Sequence, residues 1–227
     1  MKKQILIALA GVAALIPQFS HAQVRNEGLA NDIIAARQKN TALMKQYAWN
    51  SRTELLINSA VKDIRIEQVM YGPAGTLQRT LLNDQPAAMP GGFLRKRIAE
   101  KEKADTEKYL HGLRTLLEEY TLSTGGKVID FLSQAVIQAP DANGLLQFTG
   151  NGVVKPADTM TLSIFAPTKQ TRQMTISTIF EGDQVNISAT FKSLNSGLTY
   201  MAFGQVDVPA KNITVQLQNY DFINQNQ

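Results

Sequence analysis

The sequence contains no cysteine, and this absence excludes several kinds of structure and chemistry. Disulfide bonds, cysteine-ligated metal sites and thiol nucleophiles all need a residue that the chain lacks. A lipid anchor on an N-terminal cysteine is excluded for the same reason. The chain therefore has to be stabilised by an apolar core, and its 227 residues are enough to form one.

Histidine and an excess of one charge are also scarce. His111 is the only histidine beyond residue 22, and the formal net charge is +4 at pH 7. Lys2 and Lys3 supply part of that charge, and the remaining bias is too weak to indicate binding to nucleic acid. We therefore expect no nucleic acid among the partners of this protein.

The only long hydrophobic run lies at the N-terminus. Lys2 and Lys3 precede the stretch Ile5–Ile16 of apolar residues and glycine, and Pro17 ends it. With small residues before position 23, this layout is typical of a secretory signal peptide that is cleaved after Ala22. A membrane anchor is the alternative, but about twelve helical residues rise only about 18 Å, whereas the hydrocarbon core of a bilayer is about 30 Å thick.

The sequence thus predicts two parts of unequal size. Residues 1–22 form the signal peptide, and residues 23–227 form a single domain without a transmembrane segment. The predicted localisation of the mature protein is periplasmic or secreted.

Hydrophobic periodicity predicts one helix and three strands in the N-terminal part of this domain. Residues 27–45 carry apolar side chains at helical spacing, among them Leu29, Ile33 and Ala36, and Asn26 is the predicted N-cap. The strands are predicted near residues 48–57, 62–71 and 76–83, where apolar and polar residues alternate.

A helical insertion is predicted over about residues 90–138. Its first helix spans residues 93–120 and is strongly charged over residues 95–108. Pairs of opposite charge four residues apart favour a solvated helix face, and docking to a partner or a membrane is the alternative. After two glycines, a shorter helix is predicted over Lys127–Ile137.

From Gly144 onward every segment has the character of a strand. Six strands are predicted near residues 145–154, 159–166, 172–180, 184–191, 198–208 and 213–222, with short turns between them. Regular spacing without intervening helices indicates an antiparallel meander, so the predicted fold class is α+β.

No catalytic or metal-binding motif emerges from the sequence. A Ser-His-Asp triad would need His111, which the pattern places on the charged helix, and no nucleophile elbow is present. A zinc site would need several carboxylates around the same imidazole. Glu54 and Glu67 on neighbouring strands resemble a glycosidase carboxylate pair, but nearby arginines favour ion pairs on a solvated sheet face. We expect no catalytic, cofactor-binding or metal-binding residues and no enzymatic activity.

The apolar face of the predicted sheet is the main candidate for function. In the hairpin Met174–Phe191, apolar residues alternate with Gln, Asn, Ser and Thr. This face either packs against the helices as an ordinary core or lines a cavity, for which adaptable methionines are suited. In the second strand, the same phase puts Asp63, Arg65 and Glu67 on the solvated face. The residues predicted to line the cavity are Trp49, Leu55, Ile57, Ile64, Ile66, Met70, Met160, Leu162, Ile164, Met174, Ile176, Phe180, Val185 and Ile187.

Three segments resemble a family of secreted bacterial proteins to which no activity has been assigned. They are "YAWNSRTELLI" (Tyr47–Ile57), "QVMYGPAGTLQRT" (Gln68–Thr80) and "VPAKNITVQLQNYDF" (Val208–Phe222). The order of the predicted elements also resembles the fold of the bacterial lipoprotein carrier and its outer-membrane receptor, LolA and LolB. That resemblance implies a curved antiparallel half-barrel that wraps amphipathic helices and encloses an apolar pocket for acyl chains.

Two functions are compatible with these observations. The first is a periplasmic, non-enzymatic binding or carrier protein for a lipid-like ligand or a lipidated protein, without a cofactor. The second is a structural or partner-binding periplasmic protein with a closed core and no small ligand.

Overall fold

The computed structural model describes residues 20–86 and 93–226, which form an α+β protein as predicted. Residues 1–19, which hold most of the predicted signal peptide, lie outside the described residues. The helices are α1 Ser20–Met44, α2 Phe93–Glu119 and α3 Gly125–Gln134. The strands are β1 Tyr47–Ile57, β2 Ala60–Tyr71, β3 Leu77–Pro86, β4 Val136–Gln138, β5 Leu145–Asn151, β6 Thr159–Phe165, β7 Gln170–Phe180, β8 Asp183–Ser193, β9 Thr199–Val208 and β10 Ile213–Asn224.

The ten strands form one antiparallel sheet in the order β3-β2-β1-β10-β9-β8-β7-β6-β5-β4. Two meanders, β1–β3 and β4–β10, are joined through the pairing of β1 with β10, in which Ile57 lies opposite Ile213. The predicted antiparallel meander is therefore confirmed, and the first and last parts of the domain meet in the middle of the sheet.

The sheet is curved and open. Side chains of β2 and β6 line the same cavity, although five strands separate them in the sheet order. In a flat sheet these two strands would be about 29 Å apart, so the sheet has to curve around the cavity. The edge strands β3 and β4 do not pair with each other in the part of the chain that the structure describes. The architecture is thus a half-barrel.

The apolar core lies between the three helices and the inner face of the sheet. In α3, Val128, Phe131 and Leu132 are buried because their spacing puts them on one face of the helix. Thr124 begins this helix as its N-cap, since its hydroxyl accepts a hydrogen bond from the N–H of Lys127. None of the helices among the described residues is long and apolar enough to cross a membrane.

Two helix boundaries differ from the prediction. Helix α1 begins at Ser20 and passes through Asn26, which is therefore not its N-cap. Helix α3 ends at Gln134 because Ala135 adopts an extended backbone, with φ −76° and ψ 140°. The β-branched residues that follow form β4, which pairs with β5, so sheet pairing outweighs the local helical pattern there.

Candidate ligand-binding cavity

The inner face of the sheet and the helices α1 and α2 line an open cavity of about 1780 Å³. Strands β1–β3 and β6–β10 contribute to its lining, together with both helices and the residues just after α2. The volume exceeds the ≈ 300–1,000 Å³ that is typical of sites for small molecules. The cavity can therefore hold a ligand with a long chain.

Two rows of residues cross the floor of the cavity. The members of each row lie directly opposite one another in successive strands, so their side chains share one face of the sheet. The Leu55 row consists of Leu55, Val215, Val206, Ile187, Ile176 and Met160. The Thr53 row consists of Thr53, Leu217, Gly204, Ala189, Met174 and Leu162. All of these residues border the cavity, but the members on β6 and β8 and Ile176 on β7 are at most 8% exposed and belong to the core. The accessible apolar floor is formed by half-buried side chains, which are Leu55, Val215, Val206, Leu217 and Met174.

The floor becomes charged where it reaches β2 and β3. Asp63 lies opposite Leu55, and Arg65 lies opposite Thr53, so both rows continue into charged residues. Glu67 and Arg79 line the same end, and Nη1 of Arg79 donates a hydrogen bond to Oε2 of Glu67 at 2.9 Å. The cavity is thus amphipathic, with an apolar floor and one end that carries charges of both signs.

A β-bulge explains why β2 does not follow the predicted phase. The hairpin begins with a two-residue turn in which both residues have positive φ, and this turn alone would put Ile64 opposite Thr53. The bulge next to Leu55 shifts the register by one residue, and Arg65 takes that position. Because successive side chains alternate between faces, the shift turns Ile64 and Ile66 to the outer face of the sheet.

Tyr109 anchors helix α2 against β7 and β8. Its hydroxyl donates to Oδ2 of Asp183 at 3.3 Å, and its ring centroid lies 5.1 Å from that of Phe180. Nζ of Lys211 lies 4.7 Å from the Tyr109 ring centroid and 3.3 Å from Oδ2 of Asp183. Burial and the Asp183 carboxylate raise the pKa of Tyr109 to about 12, so the hydroxyl stays neutral. Thus anchored, α2 presents Leu110, Leu113 and Leu117 to the cavity.

Helix α1 is fixed at two points beside the cavity. Asn40 binds the backbone of Thr199 in both directions: Nδ2 donates to the carbonyl at 2.8 Å, and Oδ1 accepts from the N–H at 2.7 Å. Nη2 of Arg37 donates to the carbonyl of Leu122 at 2.6 Å, and burial lowers the pKa of this guanidinium. These bonds tie α1 to β9 and to the segment that links α2 with α3.

A buried polar network lies next to the cavity, which it reaches through Tyr120. The Tyr120 hydroxyl donates to Oδ2 of Asp158 at 2.7 Å and hydrogen-bonds to the hydroxyl of Thr178, also at 2.7 Å. Asp158 accepts further bonds from the backbone N–H groups of residues 153–155. Burial by itself raises the pKa of Asp158, but these hydrogen bonds outweigh it and hold the pKa below its usual value. Burial also raises the pKa of Tyr120, so the network pairs an ionised carboxylate with a neutral phenol.

The residues considered for catalysis do not converge. His111 is exposed on α2 and does not line the cavity. Glu54 forms an ion pair with Arg52, whereas Glu67 pairs with Arg79. Glu54 lies opposite Ile64 and so faces outward, away from Glu67.

Over the described residues, no three or more His, Asp or Glu side chains are arranged to hold a metal ion.

The residues predicted to line the cavity fall into two groups. Leu55, Ile57, Met160, Leu162, Met174, Ile176 and Ile187 lie along it. Trp49, Ile64, Ile66, Met70, Ile164, Phe180 and Val185 lie elsewhere in the described chain. Trp49 is buried in an aromatic cluster, where its ring centroid is 5.6 Å from that of Phe222 and 6.3 Å from that of Tyr71.

Sequence reasoning missed most of the lining residues, and two sets of them show why. Val215 and Leu217 alternate with polar residues in β10, so their spacing carried a usable signal. The charged end, formed by Asp63, Arg65 and Glu67, carried no such signal, because only the bulge turns these side chains inward. Tyr120, Asp158 and Thr178 are also far apart in the sequence, so no local pattern indicated that they would form hydrogen bonds with one another.

No protein-family model matches the chain, and no curated protein matches it. Among solved structures, the chain is similar to a LolA superfamily protein from Nitrosomonas europaea, with 8% identity, 85% of this chain and 92% of that chain covered, and a TM-score of 0.37. It is also similar to a DUF1329 family protein from Desulfovibrio piger, with 7% identity, 86% and 91% of the two chains covered, and a TM-score of 0.36.

Proposed function

We propose that this protein is a non-enzymatic binding or carrier protein for a lipid-like ligand or a lipidated protein, located in the periplasm or secreted. The observation that carries this proposal is the apolar floor of the cavity, where half-buried Leu55, Val215 and Val206 lie opposite one another on β1, β10 and β9. In this proposal residues 1–22 are removed as a signal peptide, and residues 23–227 act as one domain.

The shape of the floor supports an alkyl chain as the bound group. Half-buried Leu55, Val215 and Leu217 lie on the paired strands β1 and β10, and their apolar surface forms a continuous strip that an alkyl chain can cover. Half-buried Met174 and Met201 line the cavity, and their flexible thioethers adapt to chains of different length. Half-buried Val206 and Val215 still expose apolar surface that a chain would cover.

The energetics of chain burial support a useful affinity. Each buried CH₂ group contributes about 0.8 kcal/mol, so ten of them contribute about 8 kcal/mol. That free energy corresponds to a dissociation constant of about 1 μM, before the cost of ordering the chain is subtracted. In this proposal, apolar contact along the floor supplies most of the binding free energy, without a covalent bond or a cofactor.

The polar groups around the cavity support a binding role over catalysis. Glu67 is paired with Arg79, Arg37 holds the carbonyl of Leu122, and Tyr120 is bound to Asp158. These side chains are engaged in positioning the walls of the cavity. We therefore propose no catalytic residue and no cofactor.

The test measures binding of an environment-sensitive fluorescent fatty acid to protein purified without detergent. We expect a blue shift of the emission on binding and, by native mass spectrometry, a co-purifying lipid. If neither is observed at micromolar protein, the proposal is contradicted. The alternative, a structural or partner-binding protein with a closed core, would then be the better interpretation.

A further inference from the structure

The outer face of the sheet, on the side away from the cavity, carries three rows of polar side chains with almost no charge. The Ser188 row crosses strands β5–β10 and consists of Gln216, Gln205, Ser188, Thr175, Thr161 and Thr149. It alternates along the strands with the Leu55 row, so its side chains point outward. The two neighbouring rows, through Asn186 and through Thr190, contain only Ser, Thr, Asn and Gln apart from Asp207 and Phe203.

The lack of charge distinguishes this face from an ordinary solvated surface. Asp, Glu, Lys and Arg make up 19% of the sequence, yet Asp207 is the one charged member of the three rows. The outer face of β1 is different, because Arg52 and Glu54 form an ion pair there. Water solvates charged side chains at least as well as hydroxyls and amides, and charges improve solubility. A face that lacks them along six strands is therefore suited to an uncharged ligand that forms hydrogen bonds.

A depression of about 360 Å³ lies in this face. Hydroxyl side chains of β6, β7 and β8 line it together with Asn186 and Asp207, and Thr175 and Ser188 on its two middle strands are exposed. The volume falls within the ≈ 300–1,000 Å³ that is typical of sites for small molecules. Each Ser or Thr hydroxyl donates one hydrogen bond and accepts others, as the hydroxyl groups of a sugar also do.

The Asp207 carboxylate is held in place at the edge of the depression. Its Oδ1 accepts a hydrogen bond from the Thr214 hydroxyl at 2.8 Å, and its Oδ2 accepts one from Nε2 of Gln205 at 2.7 Å. Gln205 is fixed in turn, because its Oε1 accepts a hydrogen bond from Nε2 of Gln216 at 3.1 Å. A carboxylate has about four lone-pair sites, so these bonds leave Asp207 with acceptor capacity for the hydroxyl groups of a ligand.

Phe203 adds an aromatic surface to the same face. It is 36% exposed and lies one strand across and one row along from Ser188, which is about 8 Å by the spacing of strands and rows. An aromatic ring offers a flat apolar surface, against which the C–H groups of a sugar ring can pack. The separation is larger than one sugar ring, so a ligand that reaches both places has at least two linked units.

We propose that this outer face is a second binding site, for a neutral oligosaccharide. One sugar unit lies in the depression and exchanges hydrogen bonds with the hydroxyls of β6–β8, the amide of Asn186 and the carboxylate of Asp207, and a linked unit packs on Phe203. An anionic saccharide is disfavoured, because the three rows offer it no cation and Asp207 repels it. The sheet itself separates this site from the cavity, so the proposal does not depend on the function proposed above.

The test titrates the full chain with hexasaccharides in a calorimeter. The neutral probes are the extended β-linked hexamers of glucose and of N-acetylglucosamine, and the anionic probe of the same length is the hexamer of galacturonic acid. We expect at least one neutral hexamer to bind with a dissociation constant below about 1 mM, and the anionic hexamer to bind at least about tenfold more weakly.

Two variants locate the site. Thr175→Gln fills the depression with a longer neutral side chain and should weaken binding about tenfold or more. Phe203→Ala removes the aromatic surface and should weaken binding about fivefold. The matched controls are Thr80→Gln on the outer face of β3 and Ile223→Ala at an exposed position of β10, and both should keep the wild-type affinity.

The outcomes are distinct from those of the fatty-acid test. If neither neutral hexamer binds at up to about 1 mM, or if the anionic hexamer binds as tightly, the inference is overturned whatever the result with the fatty acid. It is also overturned if both site variants, folded by circular dichroism, bind like wild type. A loss that is confined to the two site variants supports it. Thr175→Gln should leave fatty-acid binding unchanged, because Thr175 lines the outer depression and not the cavity.

Discussion

Asp63 on β2 lies directly opposite Leu55 on β1, and this pairing joins a charged side chain to the end of an apolar row. The relationship results from one inserted residue, because the bulge beside Leu55 changes which face every following residue of β2 presents. Without the bulge, the apolar phase of β2 would extend the floor of the cavity. With it, the cavity gains a polar end.

The first prediction compares two neighbouring residues of β7. Both residues border the cavity, but Met174 is half-buried, whereas Ile176 is only 4% exposed and packs in the core. We expect Met174→Glu to fold and to lose fatty-acid binding, because a carboxylate then occupies the apolar floor. Ile176→Glu should lower the free energy of unfolding by several kcal/mol, because it buries an unpaired charge. Thermal unfolding and fluorescence measure the two effects, and a Met174→Glu chain that fails to fold would indicate a closed core.

The sequence predicted the elements more fully than their arrangement. Strands β1 and β2 and helix α2 lie within a few residues of their predicted positions, because periods of 2 and 3.6 follow directly from backbone geometry. The same reasoning extended α3 by three residues, of which the last two belong to β4, because the apolar side chains of a short strand fit a helical pattern as well.

The arrangement of the cavity depends on contacts that local patterns do not encode. Val215 enters the floor only because β10 pairs with β1 across most of the chain. The face of Asp63 depends on a bulge, and the bond of Tyr120 to Asp158 joins residues 38 positions apart. Periodicity therefore predicts which residues are apolar neighbours, but not which strand or helix stands opposite them.

The second prediction concerns the attachment of α1 to β9. Asn40→Ala removes both hydrogen bonds to the backbone of Thr199, a residue that is only 6% exposed. We expect the free energy of unfolding to fall by about 2 kcal/mol, because two backbone groups lose their partner in a largely buried position. Chemical denaturation measures the loss. Asn186→Ala, at an exposed position of β8, is the control and should stay within about 0.5 kcal/mol of wild type.

The third prediction is a pH dependence that arises from Asp158. Its pKa is lowered in the folded chain, where hydrogen bonds from Tyr120 and three backbone N–H groups outweigh the effect of burial. At a pH between the lowered pKa and the ordinary pKa of this carboxyl, the unfolded chain binds more protons than the folded chain. The stabilisation that the ionised Asp158 contributes is therefore complete above about pH 4 and is lost as the pH falls further.

Asp158→Asn should therefore be less stable than wild type by about 2 kcal/mol or more at pH 7. We expect the difference between the two unfolding curves to shrink steadily below about pH 4. A difference that stays constant down to pH 2 would contradict the assignment of this transition to Asp158.

The fourth prediction concerns Trp49, which is 8% exposed and stacks on Phe222 with ring planes 10° apart. Trp49→Ala should lower the free energy of unfolding by about 3–5 kcal/mol, as for other large truncations of buried aromatic side chains. Fatty-acid binding at a temperature where the variant is folded should change little, because Trp49 does not line the cavity. A variant with wild-type stability would show that this aromatic cluster is not packed as described.

The fifth prediction uses two glycines in differently packed surroundings. Gly204 lies in the middle of the Thr53 row, and a Cβ added there would be 3.2 Å from Sδ of Met201, the flexible end of another cavity residue. Gly150 lies opposite Met160, and a Cβ added there would be 2.8 Å from the buried ring of Phe131. We expect Gly150→Leu to cost about 1–3 kcal/mol or more, because it overpacks the core.

Gly204→Leu should instead stay within about 1 kcal/mol of wild-type stability, since the new side chain extends into the cavity and glycine itself weakens a strand. The same side chain takes space that an alkyl chain would use, so the fatty acid should bind about tenfold more weakly, a loss of about 1.4 kcal/mol. Thermal unfolding and fluorescence titration of both variants measure the contrast. If Gly204→Leu loses as much stability as Gly150→Leu, the space above β9 is filled by the protein itself, and a lipid-binding role for it is excluded.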